Sequence, residues 1–302
     1  MKISQGKRIK SIMLCCLLAL VVAACGSVDK DSNRASKPDS WIVTQYADQS
    51  GNQGMFYTIY NEMKEVLIVI DGGWVENNEQ IRNEICAKGG HVTAWIVTHY
   101  HNDHVDAFNT IMEDPQGITV DAVYDSPMDY DEYGRVAQTW DMPECFETYL
   151  SLTSELTDVH HLHRGDTFTI SDLTFSVFNS YDDCSKAYGD IPNNASLVFK
   201  VQGPGKSMMF CADVHSNELQ QQMIALYGDS LKADYLQAGH HGNNSFDDEF
   251  YDLVSPSVMF FDAPEWLMKG KQFHTSRLVR YCEEKQIPYY WYDTAPNSVT
   301  LD

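Results

Sequence analysis

Seven consecutive residues concentrate the chemistry of this sequence: Thr98-His99-Tyr100-His101-Asn102-Asp103-His104. Three imidazoles and a carboxylate lie together directly after an apolar run. Alternate residues of an extended segment share a face, so His99 and His101 can reach one metal ion together. Asp103 and His104 fall where the chain turns into a helix. Their side chains diverge from that pair and can serve a second ion beside the first. Neutral imidazole and carboxylate suit Zn²⁺, Mn²⁺ or Fe²⁺ and not Ca²⁺. The plain alternative, a solvated cluster, gives no reason for this order at the end of a buried strand.

Such a loop needs rigid elements behind it. Trp41–Tyr46, Met55–Tyr60 and Val66–Ile70 read as three strands, and Asp71-Gly72-Gly73 ends the third. Residues 77–88 read as a helix stopped by Gly89-Gly90. Val92–Thr98 then reads as a buried strand, His104–Met112 as a helix and Ile118–Tyr124 as a strand. Residues 126–158 break the alternation. They are acidic and aromatic, with Tyr130, Tyr133, Trp140, Phe146 and Tyr149, and predict one or two helices. Hairpins follow over 167–178 and 196–211. After them come helices at 219–227, 246–253 and 275–285, alternating with strands at 235–238, 258–261 and 289–292. Pattern alone reaches a large α/β or α+β domain.

HxHxDH is the signature of the metallo-β-lactamase superfamily, and other parts of the chain resemble that family in order. Residues 66–73 resemble the strand and Asp-Gly turn ahead of the motif, which implies that Asp71 buttresses the ligand loop. Phe210-Cys211-Ala212-Asp213 resembles the strand end that carries the metal-bridging carboxylate. Gly239-His240-His241-Gly242 resembles the late His motif of the second site. The resemblance spans roughly residues 41–302 and implies a four-layer αββα sandwich. It also implies two divalent ions, with Zn²⁺ expected ahead of Mn²⁺ or Fe²⁺. The implied ligands are His99, His101, Asp103, His104, Asp213 and His240, with His241 close by. Within the family, residues 193–198, Asp213, residues 240–242, Phe273-His274 and residues 298–301 look like the hydrolase domain of ComEC-type competence proteins. They look similar also to secreted phosphorylcholine esterases. That branch offers Asn194 where many members place a third His on the first ion, which leaves His99, His101, Asp213 and water there. His274 is expected near the mouth of the site, as a candidate for holding substrate oxygens.

The N-terminus reads as an address. Lys2, Lys7, Arg8 and Lys10 precede an apolar run from Ile12 to Ala24, and Ala23-Ala24-Cys25 resembles a bacterial lipobox. The expected arrangement is a signal over 1–24, a lipidated Cys25, a polar tether over 25–40 and a hydrolase domain over 41–302. The predicted location is the outer face of the cytoplasmic membrane, or the periplasmic or outer membrane in a cell with two. The formal charge is −22, and −26 once the leader's four basic residues are set aside. So acidic a surface disfavours nonspecific nucleic-acid binding. Of the eight cysteines, Cys86, Cys145, Cys184, Cys211 and Cys282 lie beyond the lipobox; no CxxC occurs, which signals neither a disulfide framework nor a thiolate zinc site. His160, His161 and His163 read as a solvated strand and not as a metal tract.

Together these features predict a metal-assisted hydrolase in which Asp103 orients the attacking water. The expected substrate is a phosphodiester, small or polymer-borne, outside the membrane. The aromatic residues of 126–158, with Trp74 and Trp266, offer either a cage for a quaternary ammonium group or, as the favoured reading, a lid packed onto the core. The rival readings are nuclease-like processing of DNA, lactone or thioester hydrolysis, and a metal-containing surface protein without turnover.

Overall fold

A computed structural model describes residues 38–302. The expected signal, Cys25 and most of the tether lie outside these described residues. No helix among them is long and apolar enough to cross a membrane.

Val66–Ile70 shows how the layers arise. Its side chains alternate between two apolar surfaces: Ile68 and Ile70 face one core, Leu67 and Val69 the other. A strand covered on both faces has no need of polar residues, hence the continuous apolar run. The first sheet has seven strands in the order Asn297–Thr300, Ile42–Gln45, Tyr57–Asn61, Val66–Ile70, Ala94–Val97, Val123–Asp125, Val159–His161. The second also has seven: Tyr289–Tyr290, Val258–Phe260, Tyr235–Gln237, Ser207–Phe210, Val198–Gln202, Leu173–Asn179, Thr167–Ile170. Between them lies a core that includes Tyr57, Ile59, Ile68, Ile96, Phe175, Phe199 and Phe210. Helices Asn78–Ala87, Asn102–Glu113 and Pro143–Thr153 cover the outer face of the first sheet. Helices Asn217–Tyr227, Asp248–Val254 and Thr275–Lys285 cover that of the second. The result is the expected αββα sandwich.

Two predicted strands are divided. His91–Val92 pairs with Thr119–Val120 in a separate two-stranded ribbon, while Ala94–Val97 and Val123–Asp125 join the first sheet. A continuous apolar run conceals such a switch, because both parts of it contain buried positions. Helix Asn102–Glu113 begins earlier than expected and takes Asp103 and His104 into its first turn. Residues 126–158 form helices Tyr130–Val136 and Pro143–Thr153. Tyr133, Phe146 and Tyr149 are buried there, and Phe146 stacks on Tyr100 at 3.8 Å between centroids. These rings are a packed lid and do not form a cage; Trp140 stands exposed at its edge.

Candidate metal centre

The site begins at the end of Val66–Ile70. Asp71, fully buried with φ at +54°, accepts hydrogen bonds from Thr98 N and Thr98 Oγ1, both at 2.7 Å. Its Oδ2 also lies 2.7 Å from His104 Nδ1. Gly72 N–H donates to His104 O at 2.7 Å, and a Cβ at Gly72 would meet Phe108 N at 3.0 Å. The Asp-Gly turn therefore clamps both ends of the His loop. With Nδ1 occupied, His104 presents Nε2 inward, 3.3 Å from Asp213 Oδ1.

Asp213 follows strand Ser207–Phe210 across a turn in which Ala212 has φ +44°. Gln237 Oε1 accepts from Cys211 N and Ala212 N, both at 2.8 Å, and so fixes that turn. His241 stands on the next strand's end. Its Nδ1 pairs with the Asp262 carbonyl at 3.1 Å, and its Nε2 lies 3.2 Å from both Asp103 Oδ2 and Asp213 Oδ2. Asp262 is held in turn by Gln45 Nε2 and Tyr57 Oη, each 2.7 Å from its Oδ1. An imidazole oriented through one nitrogen with the other left free is the usual preparation of a metal ligand.

One donor atom each from Asp103, His104, Asp213 and His241 lies within 4.8 Å of all the others, and all four residues are buried. His99 borders the group, its Nε2 3.9 Å from Asp213 Oδ2 and its ring 4.1 Å from that of His104. His101 stands beside His99 at 4.8 Å between rings. Among the described residues, the Nε2 atoms of His99, His101, His104 and His241 and Oδ1 of Asp213 find no aligned hydrogen-bond partner. Buried polar atoms left so are rare and costly. Their convergence fits divalent cations, which would bind these lone pairs.

The electrostatics agree. Burial, then the neighbouring His104, pushes His99 well below the usual imidazole range, which leaves its lone pair free. Burial would raise Asp213, but His241 and His104 outweigh it and hold the carboxyl well down. Burial opposes charge on His104 and His241; the carboxylates of Asp213 and its neighbours outweigh that and raise both. A field that retains protons on two buried imidazoles is one that would retain a cation in their place.

The structure corrects one expected ligand. His241, not His240, turns toward the carboxylates. Both residues have left-handed backbone, φ +49° and +54°, and the loop is anchored by His240 N to Ala212 O at 2.7 Å. The ring of His240 instead stacks on His215 at 4.8 Å, and burial lowers its pKa to about 4. Asn194 is spent on the chain itself: its Oδ1 accepts from His215 N and Ser216 N, and its Nδ2 donates to Gly189 O. It shapes the loop after Asp213. His274 is exposed at the start of its helix, with its N–H donating to Asn243 Oδ1 at 3.0 Å. His161 pairs with Asp125 at 2.6 Å on the edge strand.

Several residues of the site carry a weaker signal in the sequence, or none. Asp262 could have been found as a carboxylate directly after an apolar strand, the signal shared by Asp71 and Asp213. Gln53, whose Nε2 lies 3.3 Å from Asp103 Oδ2, and Asp141, 2.9 Å from His101 Nε2, carry no such signal.

No protein-family model matches the sequence, and no curated protein matches it. Solved structures do match. YhfI of Bacillus subtilis, a metallo-β-lactamase fold protein, aligns over 87% of this chain and 100% of its own, with 11% identity and a TM-score of 0.53. CmlA of Streptomyces venezuelae, a diiron β-hydroxylase, aligns over 87% of this chain and 54% of its own, with 12% identity and a TM-score of 0.54. This chain thus spans about half the length of CmlA. At such identities the likeness is one of fold: the chain has the metallo-β-lactamase fold.

Proposed function

We propose that the protein is a metal-dependent hydrolase of the metallo-β-lactamase superfamily, a phosphodiesterase that acts on an extracellular or cell-wall substrate. The observation that carries this reading is the convergence of inward-facing imidazole nitrogens on the carboxylates of Asp103 and Asp213, with no hydrogen bonds to satisfy them. His99, His101 and Asp213 would hold one ion, and Asp103, His104, Asp213 and His241 a second. Such ions supply Lewis acidity and a water of lowered pKa.

The protein's own groups supply the rest. Burial would raise Asp103, but His241 above all, together with His104, outweighs it and holds the carboxyl anionic, below the ordinary carboxylate range. Its carboxylate can therefore accept a hydrogen bond from the attacking water and aim it. Gln53 steadies that carboxylate, and the Asp103 carbonyl is pinned by Met55 N at 3.0 Å. The Tyr133 hydroxyl is buried without a partner among the described residues, on a ring 6.4 Å from His101. A cleft of about 520 Å³ runs along Asp190, Asn194 and His215, the last on the loop that follows Asp213; none of the proposed ligands lines it.

The phosphodiester choice rests on the sequence resemblance to the competence-type hydrolase branch, and the extracellular choice on the leader and Cys25. The acidic composition weighs against nuclease action on DNA. Protein loaded with Zn²⁺ or Mn²⁺ is expected to cleave bis-p-nitrophenyl phosphate, and Asp103→Ala to abolish this. Comparison of p-nitrophenylphosphorylcholine with single-stranded DNA separates the esterase from the nuclease reading. Turnover of lactones or thioesters alone would replace the phosphodiester assignment, and no turnover at full loading would favour a surface binding protein. Membrane fractionation of wild type against Cys25→Ser tests the lipid anchor.

A further inference from the structure

We infer that Asp141 is a ligand of the ion held by His99 and His101, filling the place left by the missing third histidine. The inference rests on the two-ion reading above and adds a seventh protein ligand to it. Sequence resemblance offers Asn194 at that place, but both ends of its amide are committed to Gly189, His215 and Ser216. Asp141 is differently disposed. It sits in the turn between helices Tyr130–Val136 and Pro143–Thr153, and its side chain is 0% exposed. Oδ2 accepts from Gln138 N at 2.7 Å, which sets the carboxylate plane. Oδ1 points to His101 Nε2 at 2.9 Å, yet neither atom has an aligned hydrogen-bond partner among the described residues.

Two donors bound to one ion at about 2.0–2.1 Å stand roughly 2.9 Å apart at octahedral angles and roughly 3.3 Å apart at tetrahedral ones. The His101–Asp141 pair, at 2.9 Å, falls within that spacing; of the other donors to this ion, His99 lies wider, 3.9 Å from Asp213. A fully buried carboxylate with an unmet oxygen is costly unless a cation completes it. The lid is also docked where a ligand must be held: Phe146 stacks on Tyr100, between His99 and His101, and Asn102 Nδ2 meets Met142 Sδ at 3.1 Å. A third carboxylate would leave two divalent ions with one net positive charge instead of two. Its oxygen shifts the donor set toward the preferences of Mn²⁺ and Fe²⁺.

The test is metal uptake by the full-length, metal-free protein, titrated with Zn²⁺ against a chromophoric chelator and followed also by Co²⁺ absorption. Wild type is expected to take two ions per chain. Asp141→Ala should keep one and bind the other at least tenfold more weakly, with loss of one part of the Co²⁺ spectrum. Asp141→Asn, which retains the turn, should weaken the same ion, and Asp141→His should restore it. Two ions bound to Asp141→Ala and Asp141→Asn at wild-type affinity would overturn the inference and reduce the contact to an ion pair with His101. Wild type that takes no ion would fail the two-ion reading itself, a result distinguishable from loss of one site in the variants alone.

Discussion

His104 and His241 are each braced from behind by an oxygen at a strand end: Asp71 Oδ2 at 2.7 Å and the Asp262 carbonyl at 3.1 Å. His101 has a different setting. The carboxylate that faces it comes from a turn between two short helices, and those helices are held by aromatic stacking over Tyr100. The inner half of the centre is thus part of the sandwich, while the outer half depends on a docked lid. Strand ends move only if the sheets move; a lid can loosen by local opening, at lower free energy. One centre therefore joins a rigid half to a half whose integrity is set by packing outside the two sheets.

The change expected to break both halves is Asp213→Asn, because this carboxylate faces imidazoles on each side. Metal analysis should show loss of both ions, and kcat/KM should fall by more than about 10³-fold, or about 4 kcal/mol. Phe146→Ala should separate the halves. Loss of a buried Phe costs about 3–5 kcal/mol, and a chelator titration should then release the outer ion first while the inner one stays. The inner half is weakened selectively by Asp71→Asn, which removes charge behind His104; an affinity loss of about 10–100-fold is expected for the inner ion. Equal loss of both ions in the last two variants would erase the distinction between the halves.

The smallest effect is expected at an ion pair that belongs to neither half. Arg164 Nε lies 2.7 Å from Asp182 Oδ2. Burial would raise Asp182, but the guanidinium outweighs it and holds the carboxyl below its ordinary value. A carboxyl depressed on folding stabilises at pH above its unfolded value, about 3.9, and that contribution fades as pH falls through the folded value. Urea unfolding should show Asp182→Asn less stable at pH 7 by at most about 1 kcal/mol. The difference should vanish as pH drops well below 4, with metal uptake unchanged.

Much of what lies at the strand ends could be read from the chain alone. Asp71, residues 99–104 and Asp213 each follow an apolar run, and a carboxylate or imidazole at the end of a buried strand has few roles other than chemistry. Alternation and length likewise carried the individual strands and helices, while their stacking as an αββα sandwich followed from the family resemblance. What could not be read is orientation and long-range approach. Adjacent His240 and His241 are the same residue type, and only the left-handed turn over Ala212 decided which ring faces Asp213. Asp141 lies 40 positions beyond His101 in an acidic segment, where nothing local separates it from other surface carboxylates. Its role follows from Phe146 docking on Tyr100. Local periodicity determines elements and the residues at their ends; which distant side chains meet is settled by packing, and that is a property of the whole fold.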